Sequence, residues 1–224
     1  MTGGPVLPES KAVAFKAGEK EGLMNIEEIG RKVQYLIDLE EIKKLQRRYQ
    51  YWLFKQDYEK IIEQCFARKT PGIHMEASDS GAFKEREGIK RFFRDVVGRL
   101  KTRPGGFTMH MAVGPVIEVA GDGKTAKGIW FSPGCAGNLW VWGVYMVDYV
   151  KEDDGWKFWH TIFTPFFRTP YEKGWMEIPA AGTLASGLED GPPTHWNPYD
   201  KTKTGQELFH HLPEAPEPYE TSDI

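Results

Sequence analysis

Residues Phe107 to Met111 read Phe-Thr-Met-His-Met and set one histidine, His110, inside a strand-like run that continues through Ala112, Val113, Val116 and Val119. An imidazole among apolar neighbours is a candidate general acid or base, because its ordinary pKa lies near neutrality. In strand alternation His110 shares a face with Thr108 and Ala112, small residues that leave room for a substrate. Tyr49 is the second candidate: a phenol on an apolar stem donates to a developing oxyanion or holds a substrate phenol, unless it is a core tyrosine bonded to backbone. The third is His160. Along the last strand Trp156, Phe158, His160 and Ile162 alternate with Lys157, Trp159 and Thr161, and the lysine marks its own face as exposed, so alternation predicts an inward His160. Asp148, one strand earlier, either orients a histidine from inside or is solvated outside. His74 and Glu76 share a face of a short strand and read as a surface-facing pair, with a pair at the pocket edge as the alternative.

Composition narrows the setting. With 224 residues the chain fits one domain with extensions. A net charge of -3 argues against a nucleic-acid binder. No start-proximal apolar segment reads as a signal peptide and no run is long enough to span a bilayer, which places the protein in the cytoplasm and away from membranes. The two cysteines, Cys65 and Cys135, are too few for a disulfide framework and read as ordinary thiols or a single pair. No metal-ligand spacing and no phosphate-binding glycine loop is present, so neither a metal nor another cofactor is expected. Eight Trp, nine Tyr and thirteen Phe are the oddity. Such rings fill a core and a subunit interface, or line a pocket for a flat apolar ligand.

These residues need elements to hold them. Asn25 caps a helix with Glu28 as its capping-box partner, and the spacing of Ile26, Ile29, Val33, Leu36 and Ile37 continues through Ile42, Leu45, Tyr49 and Trp52 to about Lys55. A second helix starts at Asp57, and a third carries Ile89, Phe92, Phe93, Val96, Val97 and Leu100 before Pro104. The period then changes to two. Strands are predicted at 72–77, near Ala82, at 107–119, 125–131, 139–150 and 156–166, with turns at Gly121-Asp122-Gly123, at Pro133 to Asn138 and at Asp153-Asp154-Gly155. After Trp175 periodicity vanishes, and seven of the fifteen prolines fall between Pro179 and Pro218. The division is therefore an extension over 1–24, a domain over 25–175, and a loop-like tail over 176–224 whose aromatics pack on the domain or on a neighbouring subunit.

Three local patterns resemble the SnoaL-like branch of the NTF2-like superfamily: Asp38-Leu39-Glu40-Glu41-Ile42 leading to Arg48-Tyr49 and Asp57-Tyr58-Glu59; Met109-His110-Met111 followed by the Val116 to Val119 strand; and Asp154-Gly155-Trp156-Lys157-Phe158 followed by Thr169-Pro170-Tyr171 and Gly174-Trp175. The resemblance implies an α+β, cone-shaped half-barrel, a curved antiparallel sheet wrapped by N-terminal helices. Within that branch the sequence is similar to bile-acid 7α-dehydratases, whose helix tyrosine and Met-His-Met histidine correspond to Tyr49 and His110. It departs from them at Phe54, which replaces an acidic residue, at Pro133-Gly134, where a second acid is absent, and at Pro165, where the last-strand arginine is expected. It also resembles the formaldehyde-releasing diarylpropane lyases.

The resemblance implies a cofactor-independent lyase acting on a hydrophobic hydroxylated aromatic compound, with His110 and Tyr49 in catalysis; strand alternation adds His160 as a helper, and the aromatic residues Trp52, Phe54, Trp130, Trp142, Tyr145 and Phe158 are expected against the substrate. The missing carboxylates favour carbon–carbon cleavage with formaldehyde release over dehydration. An isomerase or cyclase and a non-catalytic binding module are the rival readings. A homo-oligomer, dimer or trimer, is expected.

Overall fold

The computed structural model describes residues 25–99, 104–180, 186–195 and 198–222. Helix α1 (Ile26–Lys55) starts where Asn25 Oδ1 accepts from the Glu28 amide at 2.8 Å, and it stops at Gln56, whose left-handed backbone ends the helix. Its buried residues are Asp38, Ile42, Leu45, Gln46, Tyr49 and Leu53. Ile29, Val33, Leu36 and Ile37 lie about two and a half turns before Asp38, Ile42, Leu45 and Gln46, on the opposite side of the helix. The apolar periodicity is therefore not one continuous face, as the spacing suggested, but two faces half a turn apart. A short α2 (Tyr58–Lys60) continues as a π-turn over Ile61–Cys65, and α3 (Glu85–Arg91) continues through Phe92–Val96 to Arg99. Leu100 and the 1–24 extension lie outside the described residues.

The sheet consists of β1 (His74–Ala77), β2 (Gly81–Lys84), β3 (Phe107–His110), β4 (Val113–Val119), β5 (Thr125–Gly137), β6 (Leu139–Glu152) and β7 (Gly155–Pro170), in spatial order β2-β1-β7-β6-β5-β3, with β4 also on β5. Most pairs are antiparallel; β1 lies parallel to β7, so the sheet is mixed rather than wholly antiparallel. The predicted 107–119 strand is two strands, because the backbone breaks at Met111 and Ala112 and the register shifts between Val113 and Val116, next to the left-handed Gly114. The predicted Pro133 to Asn138 loop is instead strand: β5 runs on to Gly137, and the reversal into β6 is confined to Asn138.

The buried face of α1 packs into the hollow of the sheet, joining Phe66, Phe93, Tyr145, Tyr149, Phe158 and Phe163 in one core. The described residues after Trp175 run over the outside. Ala82 exchanges backbone hydrogen bonds with Asp190 and Gly191, Phe209 packs on Phe166 at 4.8 Å, and the Tyr219 carbonyl accepts from the Gly121 amide. A short α4 (Gly205–Phe209) lies in this tail. Both cysteines are free, and burial pushes the Cys65 thiol pKa up. No helix among the described residues is long and apolar enough to cross a membrane.

Candidate active site

The hollow between α1, α3 and the sheet holds a pocket of about 620 Å³, its open mouth included. Tyr49 and Leu53 reach it from α1, Phe92 and Phe93 from the turn after α3, Met75 and Ala77 from β1, and Thr108, His110, Tyr145, Phe163 and Arg168 from the strands. Most of the wall is apolar, as in sites for small organic ligands.

His110 sits at the end of β3, opposite Gly134. A β-carbon at Gly134 would lie 2.1 Å from the Met109 carbonyl oxygen, so glycine permits the close approach that seats β3. The His110 ring meets Phe163 edge-on at 5.1 Å, and its Nδ1 lies 3.4 Å from the Tyr145 hydroxyl. Burial, reinforced by the positive charge of Arg168, pushes the His110 pKa down to about 3. The imidazole is therefore neutral at ordinary pH. Burial pushes the Tyr145 phenol up to about 12, with the Tyr49 hydrogen bond and Arg168 partly offsetting it. Tyr49 is 2% exposed, has its phenol pKa pushed well up by burial, and packs edge-on against Phe158 at 5.3 Å and Tyr145 at 6.1 Å.

Arg168, near the end of β7, is the cation of the pocket. Its Nε and Nη2 both donate to Asp79 in the turn after β1, the latter at 3.2 Å, and both side chains are buried. Its guanidinium carbon lies 5.9 Å from the centre of the Phe163 ring. Sequence reasoning missed this pair and placed the last-strand arginine at Pro165. Two side chains so far apart in the chain carry no shared local signal, and Asp79 reads only as a turn residue between Ser78 and Ser80.

His160 does not point inward. Asp148 pairs with His160 and Tyr149 with Phe158, so Trp159 is an extra residue, a β-bulge that reverses the facing of the strand beyond it. Phe163 consequently enters the pocket while His160 lies on the outer face, where its Nδ1 is 3.0 Å from Asp148 and its ring stacks on Trp159 at 4.0 Å. A second register shift between Trp142 and Gly143 turns Arg168 back inside. His74 is also outside, 6.2 Å from the His160 ring. The Glu76 carboxylate is buried beneath the tail: it accepts from the Thr194 amide and hydroxyl, the His195 amide and Ser78, and lies 3.4 Å from His74 Nε2. Among the described residues no group of three or more His, Cys, Asp or Glu is arranged to hold a metal ion.

Of the six aromatics expected against substrate, Tyr145 lines the pocket. Phe158 is buried behind Tyr49, and Trp130 is buried with its Nε1 donating to the Tyr149 hydroxyl at 2.9 Å. Trp52 lines a separate groove with Lys44, Arg48 and Trp156. Phe54 is exposed, because five residues beyond Tyr49 is about 1.4 turns and carries it to the far side of α1. Trp142 also faces outward, stacked on Phe167 and Trp175, since Tyr145, three residues on, takes the opposite face of the strand.

A curved sheet folded over a long helix, with its polar groups gathered inside the hollow, defines the NTF2-like cone. The SnoaL-like domain family matches residues 34–162, and the chain belongs to it. No curated protein matches the sequence. Solved structures that share the fold include two from Novosphingobium species. A candidate scytalone dehydratase from Novosphingobium aromaticivorans is 14% identical, with 74% of this chain and 99% of that one covered and a TM-score of 0.54. The LinA-type3 hexachlorocyclohexane dehydrochlorinase from Novosphingobium barchaimii is 18% identical, with 62% and 93% covered and a TM-score of 0.52.

Proposed function

We propose that this protein is a cofactor-independent lyase that cleaves a carbon–carbon bond in a hydroxylated diaryl compound of the kind lignin yields, releasing formaldehyde. The observation that carries the reading is the pocket itself: an aromatic hollow lined by an uncharged histidine, the three phenols of Tyr49, Tyr58 and Tyr145, and one buried cation. The chemistry suits a 1,2-diaryl-1,3-propanediol with a para-hydroxyl on one ring. The substrate phenol, hydrogen-bonded to Tyr49 or Tyr145, gives up its proton, which reaches the benzylic hydroxyl through His110. That hydroxyl leaves as water, and a quinone methide remains. Neutral His110 then takes the proton of the primary alcohol, and the bond between the terminal and central carbons breaks. Its electron pair restores the aromatic phenolate, formaldehyde departs, and the proton returns to the phenolate oxygen. The products are a stilbene, water and formaldehyde. Arg168 supplies positive potential to the oxyanion at each stage, and the dry aromatic wall strengthens it.

The test is to incubate purified protein with such a diol and quantify formaldehyde and stilbene. His110→Ala is expected to lower the rate by about 10²-fold or more and Tyr145→Phe by about 10-fold or more, and a substrate methylated on the para-hydroxyl is expected to be inert. A second reading, dehydration alone, is supported by the fold shared with proteins named as a dehydratase and a dehydrochlorinase. Loss of water without formaldehyde would select it, and an unchanged but bound compound would select a carrier.

A further inference from the structure

We infer that the groove outside the cone, between α1 and the start of β7, is a binding site for a hydroxylated aryl carboxylate. It shares no lining residue with the pocket that holds His110. The basic run of α1 divides between two sides of the helix. Arg47 turns to Glu40 at 2.9 Å, whereas Lys44 and Arg48, one turn apart, both line the groove. Neither makes a hydrogen bond or an ion pair with another described residue. Two such cations would by themselves be a solvated helix face, but a third lies beneath them. Lys157 lines the same groove with its side chain only 8% exposed. Carrying an ammonium under the surface costs desolvation, and the protein offsets little of it here. Its three protons meet two acceptors, the Gln64 carbonyl at 3.4 Å and Asp154 at 3.1 Å, and Asp154 also accepts from Arg68. Burial raises the pKa of the Cys65 thiol, and against that Lys157 and Arg48 each lower it, so both charges bear on one point of the core.

A carboxylate at this point receives the fork of a guanidinium and the protons of an ammonium. The rest of the wall selects what the carboxylate is attached to. Leu45, Trp52 and Trp156 give the groove an apolar side. Trp156 is fixed by a hydrogen bond from its Nε1 to Asp38 at 2.9 Å, so its indole is a rigid surface. A flat ring lies well against indoles and beside a guanidinium. Glu41 lines the other end, two turns and about 10 Å before Arg48 on the same face of the helix. It has no partner among the described residues. A carboxylate there repels a second anionic group and accepts from a hydroxyl. From Arg48 to Glu41 the groove is therefore complementary to a carboxylate, a ring and a hydroxyl in turn.

The test is isothermal titration calorimetry of the full-length protein with para-hydroxybenzoate. One equivalent per chain is expected to bind with a Kd of about 1 mM or tighter. Arg48→Gln exchanges one exposed good helix former for another, and it is expected to weaken binding about tenfold or more. Lys44→Gln is expected to weaken it less. His110→Gln is expected to leave it unchanged, since that residue lies in the other pocket. The uncharged para-hydroxybenzamide is expected to bind about tenfold more weakly than the carboxylate. Glu41→Gln is expected to reduce the preference for para-hydroxybenzoate over benzoate. No binding, binding that survives Arg48→Gln, or binding lost in His110→Gln would each overturn the site. Inorganic phosphate or cyclohexanecarboxylate bound as tightly as para-hydroxybenzoate would overturn the assignment to an aryl ligand.

Discussion

His110 is kept neutral by its surroundings, and the consequence can be measured as stability. Its pKa is about 3 in the folded chain against about 6.5 in the unfolded one, so between those values the unfolded state binds the extra proton. Stability from this group is complete above about pH 6.5 and is lost as pH falls toward 3, by at most ~1.4 kcal/mol per pH unit. Denaturant titrations of wild type and His110→Gln across pH 4 to 7 are expected to show this slope in the wild type and its loss in the variant. The Arg168–Asp79 pair makes a different prediction. Asp79→Asn leaves a buried guanidinium with no charge partner and is expected to cost about 3–5 kcal/mol, whereas the double replacement Asp79→Asn with Arg168→Met is expected to recover part of that stability while losing turnover. The place of Tyr49 and His110 in the pocket wall was legible in the sequence because each stands in one local pattern. The ion pair was not, because its partners meet only when β1 lies parallel to β7.

The elements explain where sequence periodicity misled. In β7 the bulge at Trp159 and the second register shift cancel, so simple alternation is right for Phe158 and Arg168 and wrong for His160 between them. In α1 the apolar period is real throughout, but it belongs to two faces, and only burial distinguishes them. Close approach is the other element-scale device. Besides Gly134 against β3, a β-carbon at Gly143 would lie 2.4 Å from the Thr164 carbonyl oxygen across β6 and β7. Gly134→Ala is expected to destabilise the fold by about 2 kcal/mol or more and to displace His110, so that turnover falls even in the fraction that remains folded. Gly105→Ala, where nothing lies within 4 Å, is the control for a glycine without a close neighbour, although its left-handed backbone adds a small strain. Thermal denaturation with activity measured per folded molecule separates the two effects.

At the scale of the whole molecule the tail clasps the outer face of the sheet while the pocket occupies the inner one. Glu76 is the clasp. Burial alone would raise its pKa, but hydrogen bonds from His74, Thr194 and His195 outweigh it and hold the carboxyl down to about 2. Its folded pKa is below its unfolded one, so its contribution is present above about pH 4.5 and is lost as pH falls toward 2. Glu76→Gln is expected to cost about 1.5–3 kcal/mol and to speed tryptic cleavage at Lys201 and Lys203. Pocket chemistry should survive, because the sheet separates Glu76 from His110. Cleavage at the wild-type rate in the variant would mean that the other anchors, Asp190 with Arg91 and Tyr219 with Thr125, hold the tail without it.

The sequence by itself determined the class of fold, the order of its elements and two residues of the pocket, because helix caps, the period of two and an isolated histidine in an apolar strand are local signals. The tertiary structure alone decided which side of each element faces the hollow. Bulges, a parallel strand pairing and a half-turn rotation along α1 are settled by packing between distant segments. They turned His160 outward and joined Asp79 to Arg168, the cation of the pocket.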